Sequence, residues 1–550
     1  MRWGSRRGNL ASTLFRIVEK LRTHERFSEF DVEDVYRCRI MFEMVTDERP
    51  IDIGEMHTAR FDDKRFEPGI TGIKVSHSGK THYFMPTDAI TYSCMSARQV
   101  MNRLSKKVGI AKLTPKVSER IALMLKEPMA YDLVKSVAFV SFEARTLPLF
   151  RGCPIETSEC DAEAIQKGML KSIDWLIGNM RDDGRFLYYY DGIADTEVDF
   201  QHPNMTAPLY YNILRHSGGT IALLRAYEIS PEPRYLEAAE RSLDFLISTF
   251  REHRYKNQMA CYPFFNQKSK LGGAGIGLVA LMMHYIHTSK ETYREQIDGL
   301  VRHILSRVDS DGEMLGYYIH PKFNAGKALV HPSDEVKKEL FSFYYPGEAL
   351  LGLALYYKHM QNIDRALRED IVEKSRKALD FLVDVRPVKY AELFAPLPSD
   401  AWLMQAIEEW ADVEGFDKPS YLEFVYGDAE TMIAHMYTEE NSPYPDYVGG
   451  FYYYYGEHVY QDASRAEGLM AAYYLAHKRG ETERAGFLMQ HLFKAAQGIM
   501  RTRHTPESTY AHRFPKRSID AFRFKLTRQW VRVDSVQHTA CFYARLLKAM

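Results

Sequence analysis

The segment YYPGEALLGLALYY (344–357) sets the pattern of the fold: small and apolar residues fill its turns, and a pair of tyrosines ends it. Similar segments return five more times toward the C-terminus. Because they are apolar on nearly all sides, they predict buried helices. The other five are YNILRHSGGTIALLRAY (211–227), LGGAGIGLVALMMHY (271–285), SDAWLMQAIEEW (399–410), YQDASRAEGLMAAYYLA (460–476) and VDSVQHTACFYARLL (533–547).

A second, amphipathic kind of helix alternates with the buried kind, and its charged face predicts half exposure. Six such helices begin near Ala162, Arg234, Thr292, Arg368, Tyr421 and Glu481. The first follows no buried helix, and the last buried helix, which runs to the C-terminus, precedes no charged helix, so these two should pair. The sequence therefore predicts a mainly α fold, an (α/α)6 barrel or six-hairpin toroid, in which 162–180 packs against 534–547.

The links between these helices indicate where a ligand would bind. Links from a buried helix to the next charged helix are short, whereas links from a charged helix to the next buried helix are far longer than usual. Long links often carry binding or catalytic groups, so the end of the barrel with the N-termini of the buried helices is the expected working face. Three of these links open alike, with DGRFLYYYD (183–191), DGEMLGYY (311–318) and GGFYYYYGEH (449–458).

The overall composition is that of a large, soluble, enzyme-sized protein. The 550 residues include 72 basic and 73 acidic side chains, a formal net charge of −1, which gives no electrostatic footprint for nucleic acid or a membrane surface. Six cysteines without CxxC spacing predict neither a zinc site nor a disulfide framework. We expect no signal peptide, no segment of the apolar length of a membrane span, and a cytoplasmic location.

The first 155 residues differ from the rest in texture. Helix-like stretches flank a strand-like hairpin, GITGIKVSHSGKTHYFMP (69–86), whose turn is at 77–80. A further strand, KSVAFVSFEART, follows at 135–146. The sequence therefore predicts a smaller α+β accessory domain at 1–155 and a catalytic barrel at 156–550.

A family resemblance attaches to this N-terminal part. The hairpin, a helix that ends in KKVGI (106–110) and the strand VAFVSFEAR (137–145) resemble the C-terminal half of the AMMECR-type domain. The resemblance covers about eighty residues. No functional residue is carried over from that family, because the only RGC segment here (151–153) follows the hairpin instead of preceding it.

Ionisable and aromatic residues near the N-termini of the apolar helices are the candidate site. An unpaired buried charge is costly, so each such group should form a pair, line a wet cavity or take part in chemistry. The expected substrate-binding residues are Arg215, His216, Tyr344, Tyr345, Glu348, Trp402, Arg465 and His538. The runs 188–190, 344–345 and 452–455 offer flat tyrosine surfaces for sugar rings, and ordinary strand and core packing is their alternative role.

Four carboxylates, Asp400, Asp462, Glu467 and Asp534, form the expected catalytic set. Facing carboxylates some 5–10 Å apart suit glycoside hydrolysis, in which one donates a proton and the other acts as base or nucleophile. Asp400 or Asp462 is the expected general acid or base, with Glu467 and Asp534 in support. Helix capping is the alternative role for Asp400 and Asp534. Six helix N-termini directed at one cleft favour an anionic group on the ligand.

The ring closure, the DGxFxYY links and the segments YPGEALLGLALYY and SDAWLMQAIEEW resemble the (α/α)6-barrel carbohydrate-active enzymes, which include unsaturated glucuronyl hydrolases, sugar 2-epimerases and uronyl C5-epimerases. The resemblance covers about residues 160–550 and implies a carbohydrate substrate, with hydrolysis as the first expectation. One alternative is an epimerase or lyase in which His538 or His216 removes a carbon-bound proton. Another is a non-catalytic protein that binds or assembles glycans. No motif demands a metal, a nucleotide or another cofactor.

Overall fold

The N-terminal part of the chain is built around an antiparallel sheet in the computed structural model, which describes residues 9–550 except 26, 28, 32, 35–37, 55–65, 143–144 and 156–159. The strands are β1 (Ile40–Pro50), β2 (Gly72–His77), β3 (Lys80–Phe84), β4 (Ala130–Phe142), β5 (Arg145–Phe150) and β6 (Cys153–Pro154), in the order β3-β2-β4-β5-β6 with β1 also paired with β4. The helices of this part are α1 (Leu10–Arg22), α2 (Asp88–Thr91), α3 (Ala97–Lys107) and α4 (Val117–Lys126).

The hairpin expected in this part is present. β2 and β3 pair around a turn in which His77 faces Lys80. Alternate residues of β2, Ile73 and Val75, are buried and pack with Leu104 of α3 in one apolar cluster, as expected of a sheet with one covered face. A separate domain that ends at residue 155 stays a prediction, since 156–159 lie outside the described residues.

The rest of the chain forms two concentric layers of helices. In chain order they are α5 (Ala162–Gly178), α6 (Ile213–Ile229), α7 (Pro233–Ser248), α8 (Leu271–Thr288), α9 (Arg294–Ser306), α10 (Asp334–Glu339), α11 (Tyr344–His359), α12 (Arg365–Asp380), α13 (Arg386–Lys389), α14 (Ala401–Trp410), α15 (Pro419–Ala434), α16 (Ala463–Lys478), α17 (Thr482–Met500) and α18 (Val533–Ala549). The inner layer consists of α6, α8, α11, α14, α16 and α18. The outer layer consists of α5, α7, α9, α12, α15 and α17, while α10 and α13 belong to links.

The inner helices close into a ring. Each packs on the next in the order α6, α8, α11, α14, α16 and α18, and α18 packs back on α6. The outer helix α5 packs against α18, which confirms the predicted pairing of the two orphan helices. The short strands of the links are β7 (Tyr189–Asp191), β8 (Phe250–Tyr255), β9 (Gln258–Pro263), β10 (Ser269–Lys270), β11 (Tyr317–Ile319) and β12 (Trp530–Arg532). β7 lies in the link before α6, and β12 lies in the link before α18. Their pairing joins the first long link to the last, so the links at this end of the barrel also form a closed ring.

Glycines let neighbouring inner helices approach closely. A Cβ added at Gly275 of α8 would lie 2.5 Å from the backbone nitrogen of Ala349 in α11. A Cβ at Gly347 of α11 would lie 2.4 Å from the backbone nitrogen of Leu403 in α14. At these two positions there is room for a hydrogen atom but not for a methyl group. The small residues of the repeated segments therefore determine how closely neighbouring inner helices pack.

Helix α8 corrects one expectation. By length and composition alone, Leu271–Thr288 is apolar enough to cross a membrane, so the expectation that no segment reaches this length is wrong. In the fold most of α8 is buried between its neighbours, α6 and α11, and it is a core helix of the ring.

Gly275→Ala should lower the free energy of unfolding by about 1–3 kcal/mol, because the new methyl group would press on the backbone of α11. Gly277→Ala is the matched control on the same helix: its Cβ would meet its nearest neighbour at 3.5 Å, an ordinary contact, and alanine favours helix. Urea unfolding followed by circular dichroism measures both variants. Equal losses of stability in the two would contradict the close approach of α8 and α11.

Candidate active site

Asp534, in the first turn of α18, is the centre of an ion-pair cluster at the working face. Its Oδ2 lies 2.9 Å from Arg215 Nε, and its Oδ1 lies 2.6 Å from Arg532 Nε. Burial opposes ionisation, but the two guanidinium groups outweigh it and hold the pKa of Asp534 well below its ordinary value. Arg215 also donates a hydrogen bond to the Tyr188 hydroxyl. Asp534 is therefore a fixed negative charge that orients Arg215 and has no proton to give near neutral pH.

A carboxylate and a histidine meet beside this cluster. Glu467 of α16 is buried, and its Oε2 lies 2.6 Å from Nδ1 of His538 on α18. The side chain of His538 is 23% exposed, its ring lies 6.2 Å from the ring of Trp402, and its Nε2 has no hydrogen-bond partner among the described residues. Burial disfavours the charged ring, but Glu467 outweighs it and raises the pKa of His538. With Nδ1–H donated to Glu467, Nε2 presents its lone pair to the cleft.

Glu348 of α11 supplies a carboxyl group of a different kind. Its Oε2 is buried and has no hydrogen-bond partner in the part of the chain that the structure describes. Burial raises the pKa of Glu348 to about 8, against the attraction of Lys270 and with a contribution from Asp400. Gly272 provides the space, since a Cβ there would lie 2.2 Å from Glu348 Oε2. At neutral pH Glu348 is therefore mostly a neutral acid with a proton to give.

Asp462 and Arg465 form a third group on the first turn of α16. Asp462 Oδ1 accepts hydrogen bonds from the backbone of Ser464 and Arg465, which caps the helix, and its Oδ2 pairs with the Arg465 guanidinium. Arg465 Nη2 also lies 3.1 Å from the Tyr453 hydroxyl. The Asp462 side chain is 27% exposed, so the capped and paired carboxylate keeps contact with solvent.

Asp400 has the capping role. Its Oδ1 accepts a hydrogen bond from the backbone of Leu403 at 3.2 Å, and its Oδ2 lies 2.6 Å from Arg386 Nη1. Arg386 belongs to the link that follows α12, where a π-helical turn (Phe381–Val385) leads into α13. Both oxygens of this buried carboxylate are thus engaged by structural partners, and the general acid or base role expected at Asp400 stays a prediction.

His216 does not line the cleft, which corrects its expected substrate-binding role. Its ring is fully buried, with Nδ1 2.7 Å from the Tyr211 hydroxyl and Nε2 2.9 Å from the carbonyl oxygen of Ser242 in the outer helix α7. Arg215, the preceding residue, points to the other side of α6 and reaches Asp534. His216 therefore fastens the inner layer to the outer one, with both ring nitrogens satisfied.

The tyrosine runs divide between packing and exposure. Tyr188 to Tyr190 are buried, which corresponds to the strand and core packing weighed as their alternative. Tyr344 is 43% exposed, and Tyr454 and Tyr455 are 65% and 54% exposed, so these rings offer surface to a ligand.

Two lysines that the sequence did not single out also lie at the working face. Lys270 precedes α8, with Nζ 5.9 Å from the centre of the Tyr317 ring and 5.8 Å from that of Tyr345. Lys525, in the link before α18, is buried, with Nζ 3.3 Å from the centre of the Tyr460 ring. Lys270 directly precedes an apolar helix, so the sequence pattern indicated where it would lie. Lys525 lies in an irregular link, where no sequence pattern indicated its position.

Several solved structures are similar to this chain at low sequence identity. No family model and no curated protein matches the sequence. Among solved structures, an alpha-1,6-mannanase from a Salegentibacter species is 12% identical and aligns over 71% of this chain and 99% of its own, with a TM-score of 0.44. A D-mannose isomerase is 10% identical over 71% of this chain and 98% of its own, with a TM-score of 0.48.

A third similar structure is the cellobiose 2-epimerase from Bacillus thermoamylovorans, which is 12% identical over 71% of this chain and 99% of its own, with a TM-score of 0.48. The identities and TM-scores of these proteins are too low to transfer an activity or a site residue, which must be argued from this chain's own geometry.

Glu467→Gln should lower the pKa of His538, because a neutral amide no longer stabilises the charged ring. Titration of the histidine rings by NMR measures the change. His216 is the internal control: burial lowers its pKa to about 4, and the substitution leaves its surroundings intact. A His538 pKa that does not respond to Glu467→Gln would contradict the pair.

Proposed function

We propose that this chain is a carbohydrate-active enzyme that moves a proton at a carbon atom of a sugar, as an epimerase or isomerase does. The observation that carries the proposal is the Glu467–His538 hydrogen bond of 2.6 Å, with the second ring nitrogen of His538 left available. A sugar ligand is supported by half-exposed tyrosine rings beside charged hydrogen-bonding groups, a surface that suits a molecule with apolar C–H faces and many hydroxyls.

The pair has the properties of a general base. A carboxylate at Nδ1 fixes the tautomer, orients the ring and stabilises the imidazolium that forms when Nε2 takes a proton. Partial exposure of His538 gives a ligand access to Nε2. A raised pKa makes His538 a stronger base than an ordinary histidine.

The neutral acid lies across the ring from this base. α11 and α18 are three positions apart in a closed ring of six, so Glu348 and His538 belong to opposite helices of the ring. A ligand on the axis would therefore have a proton acceptor on one side and a proton donor on the other. Two groups with such different proton affinities form an acid–base pair in one site.

The proposed step needs no oxidant or further reactant. His538 Nε2 removes the proton from the carbon next to the carbonyl group of an open-chain sugar, and the C–H electron pair forms a carbon–carbon double bond. The carbonyl oxygen takes the proton of Glu348, which gives an enediol and leaves Glu348 ionised. Rotation of the enediol about the adjacent carbon–carbon single bond turns the opposite face of the same carbon to protonated His538. His538 returns its proton to that carbon while the new enediol hydroxyl returns its proton to Glu348, which re-forms the carbonyl group and gives the epimer. Transfer of the His538 proton to the former carbonyl carbon, with the proton of the other enediol hydroxyl passing to Glu348, gives the isomer. The Asp534–Arg215 pair would position sugar hydroxyls.

Glycoside hydrolysis is the second candidate, and the observation that favours it is again Glu348. A buried carboxyl group that stays protonated at neutral pH is what protonation of a glycosidic oxygen requires. The partner carboxylate would be Asp462, which is capped and paired but keeps contact with solvent. Hydrolysis ranks second because Asp400 and Asp534 are held in ion pairs, whereas the Glu467–His538 pair has an available nitrogen.

His538→Gln should lower turnover by roughly 10²- to 10⁴-fold while the fold is kept, because general base catalysis contributes this much. We would incubate the protein with neutral and acidic mono- and disaccharides in D2O and follow deuterium entering carbon-bound positions by NMR. The control is His491→Gln on the outer helix α17, where the half-buried ring meets a backbone carbonyl and the Phe487 ring of its own helix.

The same reactions in ¹⁸O-labelled water separate the two candidates. Deuterium at carbon, lost in His538→Gln, supports the proton-transfer enzyme. Labelled oxygen at the anomeric carbon of a cleaved disaccharide, lost in Glu348→Gln and retained in His538→Gln, would favour hydrolysis instead. A protein that binds sugars and transforms none of them would contradict both.

A further inference from the structure

The charges of the working face do not balance. Among the described residues, Asp534 is paired with Arg215 and Arg532, and Asp462 is paired with Arg465. The remaining carboxyl groups of the cleft are Glu467, which is bound to a histidine, and Glu348, which is neutral. The carboxylates of these pairs therefore already have positive partners, and Glu457, held by the backbone N–H groups of Tyr453 and Tyr454, attracts Lys525 without forming an ion pair with it.

Lys525 is a cation of the working face that forms no ion pair with the described residues. Its side chain is only 6% exposed, and Nζ makes no ion pair and no hydrogen bond with any residue that the structure describes. Its close neighbours are the rings of Tyr460 and Phe524, with centres 3.3 and 5.6 Å from Nζ. A buried ammonium group without an acceptor costs several kcal/mol, which aromatic faces offset only in part. Burial accordingly lowers the pKa of Lys525 to about 7, despite the attraction of Asp462.

The position of Lys525 is fixed by contacts on both sides of it. The Phe524 ring stacks on Trp530 with ring centres 4.3 Å apart. Arg528 donates a hydrogen bond to the carbonyl oxygen of Ser93, and the backbone N–H of Gln529 donates one to the Ser93 hydroxyl. The N-terminal part of the chain thus holds the turn of the link that carries Lys525, so the ammonium group is kept in place before any ligand arrives.

Lys270, on the opposite side of the cleft, is a second lysine without an anionic partner in the described part of the chain. It too makes no ion pair or hydrogen bond within the described ranges, and it faces the rings of Tyr317 and Tyr345. Burial lowers the pKa of Lys270 to about 8. Two ammonium groups on tyrosine rings, without carboxylates of their own, leave the cleft with a surplus of positive charge.

We infer that Lys525 receives a negatively charged oxygen group of the substrate, so that the sugar is an acidic one. The inference rests on the proposed sugar-processing function and adds the substrate class to it. The carboxylate of a uronic acid and the phosphate of a sugar phosphate share the required chemistry: an oxyanion that accepts hydrogen bonds from Nζ and removes the cost of the buried charge. The Tyr460 ring covers one side of Nζ, and no acceptor among the described residues competes with this oxyanion for its N–H groups.

The test is binding of D-glucuronate, D-glucose 6-phosphate and D-glucose to the full chain at pH 6.5, measured by calorimetry. The unmodified protein should bind one of the two anions roughly 10- to 100-fold more tightly than glucose, the range expected for one charged hydrogen bond. The anion preferred shows which oxyanion the site takes. Lys525→Met should remove the preference, and Lys525→Arg should retain part of it.

The matched control is Lys516→Met, an exposed lysine in the same link, which should keep the preference. Lys525→Gln serves if the methionine variant does not show a native melting transition. The inference fails if glucose binds as tightly as both anions, if no anion binds, or if the preference survives in Lys525→Met. Conversion of neutral sugars without any preference for anions would sink this inference alone, and anion binding through Lys525 without conversion of any sugar would sink the proposed enzyme alone.

Discussion

The close approach of six apolar helices in a closed ring is the constraint on which the other features depend. Where glycine lets α8 meet the backbone of α11, no side chain fits between the helices. The charged residues that form the ion pairs Arg215–Asp534 and Asp462–Arg465 lie near the N-terminal end of the ring. The long links all enter at the end with the N-termini of the inner helices, and the charged residues of those first turns meet there. The location of the candidate site thus follows from packing before any chemistry is considered.

The same packing decides which of these groups remain chemically available. Carboxylates that are paired with arginines, such as Asp400 and Asp534, become structural charges. His538 keeps a nitrogen available because its partner comes from the neighbouring helix and occupies only the other nitrogen. Glu348 keeps its proton because burial disfavours the ion. The acid and the base of the proposed reaction are the members of the cluster that no arginine has neutralised.

The sequence predicted the ring but not the rotation of its helices. Two unpaired helices at opposite ends of the barrel sequence were enough to predict that α5 packs on α18. The sequence of an inner helix that is apolar on all sides does not indicate which face points to the barrel axis. Adjacent residues are about 100° apart around such a helix, so two neighbours in sequence point in different directions. For this reason the sequence predicted the same role for Arg215 and His216, whereas in the structure Arg215 pairs with Asp534 and His216 is bonded to the outer helix α7. The protonation of Glu348 depends on Gly272 of another helix, which the sequence around Glu348 does not reveal. Lys525 lies in a link whose sequence has no helical or strand periodicity, so its position was not predictable either.

The central claim is that Glu348 works as the acid of a site formed by this end of the ring, and the first turn of α8 offers a direct test. Gly272→Ala would place a methyl group 2.2 Å from the present position of Glu348 Oε2, whereas Gly273→Ala would meet its nearest atoms at 3.6 Å. We predict that Gly272→Ala, with its fold intact, loses roughly 10²-fold in carbon–hydrogen exchange of the sugar substrate and that Gly273→Ala keeps it. Equal activity in the two variants would contradict the account.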